Sequence, residues 1–130
     1  MKRDMELIRK ILYAIEEKVG NTAITDSDLN IDNYSMDEVG YHCAIMYEGG
    51  LISHFNGHYY DGQLNFFSVG RLTWNGHELL DQIRNDTVWN KTKTAITSKG
   101  LPFAIDIIKE VANAILSSMT IAAISTINSK

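Results

Sequence analysis

Met5, Ile8, Leu12, Ile15 and Val19 fall at steps of three and four, with charged residues between them. That spacing is one face of an α-helix. It predicts an amphipathic helix over residues 3–18, ended by Gly20-Asn21, glycine being favoured just past a helix. The stretch TAITDSDLNIDNY then breaks the period, with Thr25 or Asp26 able to cap one short turn through Leu29. Ser35 with Glu38 three residues on is a capping box, in which side chain and backbone satisfy each other's hydrogen bonds. Met36, Val39, Cys43 and Met46 repeat behind it, predicting a second helix to about Glu48 that Gly49-Gly50 stops.

The period then changes. Residues 51–55 read as a strand and residues 63–69 as its return, around a connection, NGHYYDG, that holds the turn dipeptides Asn-Gly and Asp-Gly. Alternation places Leu51, Phe55, Leu64 and Phe66 on the core face and leaves His58, Tyr59 and Tyr60 at the tip. Thr73 can cap a helix to about Asn85 that buries Leu79, Leu80 and Ile83, and Asp86 can cap another through Ile96. In LTWNGHELLDQIR, Trp74 and, further on, Trp89 read as buried anchors. Gly76 reads as a point of close backbone approach, and His77 as a partly buried hydrogen-bonding group. After Gly100 and Pro102 a long stripe follows: Ile105, Ile108, Ala112, Ile115, Met119 and Ala122.

The fold class expected from this order is α+β, mostly helical: a winged-helix-like core (helix, short turn, helix, β-hairpin wing, helix) with a helical C-terminal extension. The expected domains are residues 1–99 and 100–130. A generic small α+β domain is the alternative.

At 130 residues and net charge −4, the chain can bury a core without staples and is no obvious polyanion binder. The N-terminus, MKRDMELIRKIL, lacks the apolar run and cleavage site of a signal peptide. The lone Cys43 excludes an internal disulfide and fits a cytoplasmic location. Charge distribution changes the picture more. No Lys or Arg occurs between Lys18 and Arg71, a stretch that holds Asp26, Asp28, Asp32, Asp37, Glu38, Glu48 and Asp61. The half of a winged helix that usually meets DNA is therefore acidic. Base readout and phosphate neutralisation draw on Arg, Lys, Asn and Gln, and residues 35–48 offer none of these.

The runs MKRDMELIRKIL, YHCAIMYEGGLI and LTWNGHELLDQIRNDTVWNKTK resemble the domain-of-unknown-function family numbered twenty-five thirteen, over about residues 1–100. LTWNGHELLDQIR is the most specific part. Members are bacterial proteins often encoded by phages and prophages. The resemblance implies a winged-helix-like fold and a mobile-element setting, and it implies no activity, so no catalytic residues carry over.

The residues themselves offer no enzyme site. His54 and His58 lack the second ligand pair that makes zinc spacing convincing. Cys43 sits on an apolar stripe with His42 about 100° away around the helix. No phosphate-binding glycine loop or nucleophile elbow is present. The expectation is a non-enzymatic interaction or assembly module of phage or prophage type, without catalytic, cofactor or metal residues. A winged-helix DNA-binding regulator is the alternative.

Candidate partner contacts are His58, Tyr59, Tyr60, Tyr41 and His42. If nucleic acid is bound, the candidate basic surface is Arg3, Arg9, Lys10, Arg84, Lys91 and Lys93. Self-association is expected through Ala114, Ser118 and Ala122 with Ile115 and Met119, as a homodimer. Residues 111–127 carry no charge, but these 17 residues include Asn113, Ser117, Ser118, Thr120, Ser125 and Thr126. A membrane span needs ~20 predominantly apolar residues, so a bilayer is not the expected partner.

Overall fold

Asp4 starts the first helix. Its carboxylate accepts the amides of Glu6 (2.9 Å) and Leu7 (3.3 Å), satisfying two of the N–H groups that a helix start leaves unpaired. The computed structural model describes residues 1–128, and in it α1 runs Met5–Lys18. Leu7 and Ile11 are fully buried beside the predicted stripe. More of the circumference of α1 is in the core than an amphipathic reading allows.

A two-residue strand, β1 (Ile24–Thr25), follows and has no sequence signature. The expected turn comes next as a 3-10 helix, Asp26–Asp28, closed by a capping box between Thr25 and Asp28. Helix α2 spans Met36–Glu48, with Ser35 and Glu38 capping each other's amides at 3.0–3.1 Å.

The hairpin differs from expectation in two ways. Strand β2 is Phe55–Tyr60 and β3 is Gln63–Val69. The turn is Asp61-Gly62 alone, both at positive φ (53° and 77°), the two-residue geometry whose twist suits a hairpin. Asn56-Gly57, read as a turn, lies inside β2. The second difference is a β-bulge. His58 pairs with Phe66 and Tyr59 with Leu64, leaving Asn65 without a partner. One extra residue reverses the side-chain alternation. Phe67 and Val69 are therefore buried, and Phe66, expected on the core face, is 43% exposed. The sheet order is β1-β3-β2, antiparallel throughout.

Thr73 caps α3 (Trp74–Ile83) by accepting the Gly76 amide at 3.1 Å while its hydroxyl donates to the Gly50 carbonyl. Helix α4 (Asp86–Ser98) is capped by Asn85, one residue before the expected Asp86. It ends where Gly100 adopts φ 65° and the Leu101 amide reaches back to the Ile96 carbonyl (3.0 Å), a glycine C-cap. Helix α5 is Ile105–Asn128.

The chain is α+β and mostly helical, with five α-helices and one small antiparallel sheet among the described residues. It forms two compact units, one ending at Leu80 and one starting at Asp81. The first holds α1, α2, the sheet and most of α3. The second is built on α4 packed against α5, so the break expected at Gly100 is the turn inside that unit.

Trp74 and His77 do not take their expected places. Trp74 is 79% exposed at the first position of α3, whereas Leu79, Leu80 and Ile83 on the same helix are fully buried. His77 is exposed as well, its Nδ1 3.9 Å from a Glu16 carboxylate oxygen.

On α4, Thr92 is fully buried and its hydroxyl has no hydrogen-bond partner among the described residues. A buried unpaired hydroxyl costs ~1–3 kcal/mol. Thr92→Val keeps the shape and removes the hydroxyl. It should raise stability by about 1 kcal/mol, read as a higher urea midpoint at unchanged m-value. A loss of stability would show that the hydroxyl is paired.

Candidate interaction surfaces

The acidic half of the first unit is partly architectural. Asp4 caps α1, Asp28 and Glu38 close capping boxes, and Asp26 Oδ1 accepts the Phe67 amide at 3.1 Å. These carboxylates replace backbone partners in a segment with little regular structure. Exposed α2 then presents Asp37, Tyr41, Tyr47 and Glu48, with Tyr41 40% and Tyr47 48% exposed.

His42, expected to share this surface, is 2% exposed. Its Nδ1–H donates to the Glu38 carbonyl (2.8 Å) and its Nε2 accepts the Asp4 amide (2.9 Å). It joins α2 to the start of α1, so it is structural and not a partner contact. Cys43 beside it is fully buried, and burial pushes its thiol up to about 12. It therefore stays protonated and unreactive near neutral pH.

On the hairpin, Tyr59 and Tyr60 are 64% and 80% exposed. They lie within β2, not in a loop between two turns. His58 is exposed and stacks on Phe66, ring centroids 4.1 Å apart. Its neighbour Asn56 approaches it at 3.4 Å, and Ser68, opposite Asn56, bonds His54 at 3.3 Å. The result is an aromatic and polar face built from His54, Asn56, His58, Phe66 and Ser68. Phe66 was expected on the core face because no residue in LNFFS announces a bulge.

The basic set is divided between the two units. Arg9 is 8% exposed, with its guanidinium over the Tyr13 ring at 5.1 Å, so it leaves the candidate list. Lys10 Nζ lies 5.6 Å from the Tyr34 ring centroid, and Arg3 is exposed nearby in sequence. Arg84, Lys91 and Lys93 belong to the other unit. There Arg84 pairs with Asp81 at 3.0 Å and Lys93 lies over Trp89 at 5.5 Å.

Helix α5 carries the largest apolar exposure. Ile108 and Ala112 are buried, and Ile115 is half-buried. From Ser117 to the end of the helix every residue is exposed, with Ile121 at 66%, Ile124 at 52% and Ile127 at 70%. Ala114, Ser118, Met119 and Ala122 are all on open surface. The helix is long and apolar enough, by length and composition alone, to cross a membrane. Two of its polar groups are internally satisfied: Thr120 donates to the Leu116 carbonyl (2.8 Å) and Thr126 to that of Ala122 (3.0 Å).

Comparison with known proteins places these surfaces in context. Residues 2–102 match a family model described as "Hypothetical protein (DUF2513)". The chain is similar to a protein of Haemophilus influenzae (strain ATCC 51907 / DSM 11121 / KW20 / Rd) described as "Uncharacterized protein". The two are 41% identical over 122 residues, covering 92% of this chain and 98% of the relative. A match of that extent cannot stop at residue 102, so it reaches into α5. No solved structure matches the chain.

Proposed function

From the premise that the chain belongs to the DUF2513 family, we propose that it is a non-enzymatic interaction and assembly module of phage or prophage type that pairs with a second copy of itself through α5. The observation that carries the reading is a seam longer than its cover. Ile108, Ala112, Ile115, Met119 and Ala122 step by 4-3-4-3, one face of a helix. The first two are buried and the last two lie open. The apolar face that packs in the helix's own unit thus continues, uncharged, into positions that are exposed among the described residues. A second copy supplies the same seam, and two-fold pairing is the commonest closed way to bury such a surface.

Small Ala114 and Ser118 flank the seam and let a second helix approach closely. A bilayer is the less suitable partner because Asn113, Ser117 and Ser125 interrupt the apolar surface. The cytoplasm fits the reading, since the single buried thiol needs no partner there.

Linkage supplies the test. If association stabilises the folded chain, the thermal midpoint rises with protein concentration. We expect that rise for the natural sequence and its loss in Met119→Lys/Ala122→Lys, both at exposed positions. A midpoint independent of concentration in the natural sequence would contradict the proposal.

The second reading, a winged-helix DNA-binding regulator, is favoured by the sheet order β1-β3-β2 and by α2 preceding the hairpin, an arrangement that winged helices share. The surface opposes it: α2 has no Arg, Lys, Asn or Gln, and its first turn is Asp37-Glu38.

A further inference from the structure

We infer that the cleft between the 3-10 turn and the start of α2 receives a single lysine side chain from a basic protein partner. The inference rests on reading the chain as an interaction module but not on α5.

The cleft has a volume of about 110 Å³. Metabolite pockets usually occupy ~300–1,000 Å³, so its size suits one side chain. Leu29, Ile31, Met36 and Val39 supply apolar wall, and Asp26 is the one charged residue in the lining. A lysine has the matching division, with four methylenes to lie along apolar surface and a cation at the end.

Charge complementarity sets the sign of the occupant. No Lys or Arg occurs between Lys18 and Arg71. Two cations of α1 reach this region and neither is itself a lining residue: Lys18 Nζ donates to the Asp28 carbonyl (2.8 Å), and Lys10 Nζ is held over the ring of Tyr34 at the edge of the cleft. Tyr34, also in the lining, donates to Asp4 at 3.0 Å. Its hydroxyl pKa is raised, first by burial and then by Asp4, Glu6 and Glu38, so it remains a neutral wall.

The carboxylate geometry selects lysine over arginine. Asp26 Oδ1 is taken by the Phe67 amide at 3.1 Å. Oδ2 makes no hydrogen bond among the described residues. A single open oxygen suits a compact ammonium, whereas a guanidinium fork gains most from two. Asn30 and Ser27, also in the lining, add neutral oxygens for the remaining ammonium protons.

The test is a titration of the ¹⁵N-labelled full chain with acetyl-Gly-Lys-Gly-amide, followed by amide shifts. The expected result is saturable movement of the Leu29, Asn30 and Phe67 amides. The norleucine peptide, of similar shape but uncharged, should bind at least ten-fold more weakly, and the arginine peptide several-fold more weakly. Asp26→Asn keeps an oxygen for the Phe67 amide and so keeps the fold, and it should weaken the lysine response at least ten-fold. Met36→Lys, placing a lysine at the cleft in cis, should abolish it. Absence of saturable shifts overturns the inference, as does norleucine or arginine binding as well as lysine, or an unchanged response in either variant. None of these outcomes bears on whether α5 self-associates.

Discussion

Gly76→Ala should lower stability by about 3 kcal/mol or more, toward the upper end of overpacking effects. A Cβ at Gly76 would meet the Leu51 carbonyl oxygen at 2.1 Å and the Leu72 Cβ at 3.3 Å. The first obstacle is backbone and is fixed, because that carbonyl accepts the Thr73 amide at 3.0 Å and Ile52 bridges Leu72. Alanine's helix preference returns only ~1 kcal/mol. Gly20→Ala is the control: nothing lies within 4 Å of its Cβ and its φ is not positive, so it should fall within ~0.5 kcal/mol of the natural chain. Urea unfolding of both measures the contrast, and equal midpoints would show that α3 can move away from Leu51.

The two tryptophans give the second large contrast. Trp89 is 1% exposed and Trp74 is 79% exposed. Trp89→Ala should cost ~3–5 kcal/mol, as for other buried aromatic truncations, while Trp74→Ala should change stability by less than ~0.5 kcal/mol. Iodide should quench Trp74 fluorescence readily and Trp89 fluorescence little. In Trp74→Phe the remaining emission should be blue-shifted and protected. If Trp74→Ala costs as much as Trp89→Ala, the exposed ring is an anchor after all.

Those two side chains also show where sequence reasoning succeeds and where it stops. Ser35 with Glu38, Gly49-Gly50 and Gly100 bound their helices because capping and positive φ are local requirements, met by few residue types. Gly76 was legible for a similar reason, since only glycine admits a backbone so close. Phe66 was not, because a bulge is set by how two strands pair, and its reversal of the face appears only in three dimensions. Trp74 was misread because hydrophobicity alone does not fix the rotation of a helix whose buried stripe is already complete. His42 was misassigned because both of its partners are backbone atoms, one of them 38 residues away. The Asp26 cleft left one trace, a long segment with acids and no bases, and needed the fold to bring Tyr34, Met36 and Phe67 around it.

Sedimentation equilibrium of the full natural chain, at near-physiological salt and over a wide concentration range, tests self-association through α5 most directly. Apolar contact between two uncharged helix faces is little screened by salt, so the dimer should persist when salt is raised. The predicted result is a mass approaching twice the 14.6 kDa of one chain, reverting to a single chain in Met119→Lys/Ala122→Lys. A mass of 14.6 kDa at every concentration, from a chain that circular dichroism shows to be folded, would contradict it.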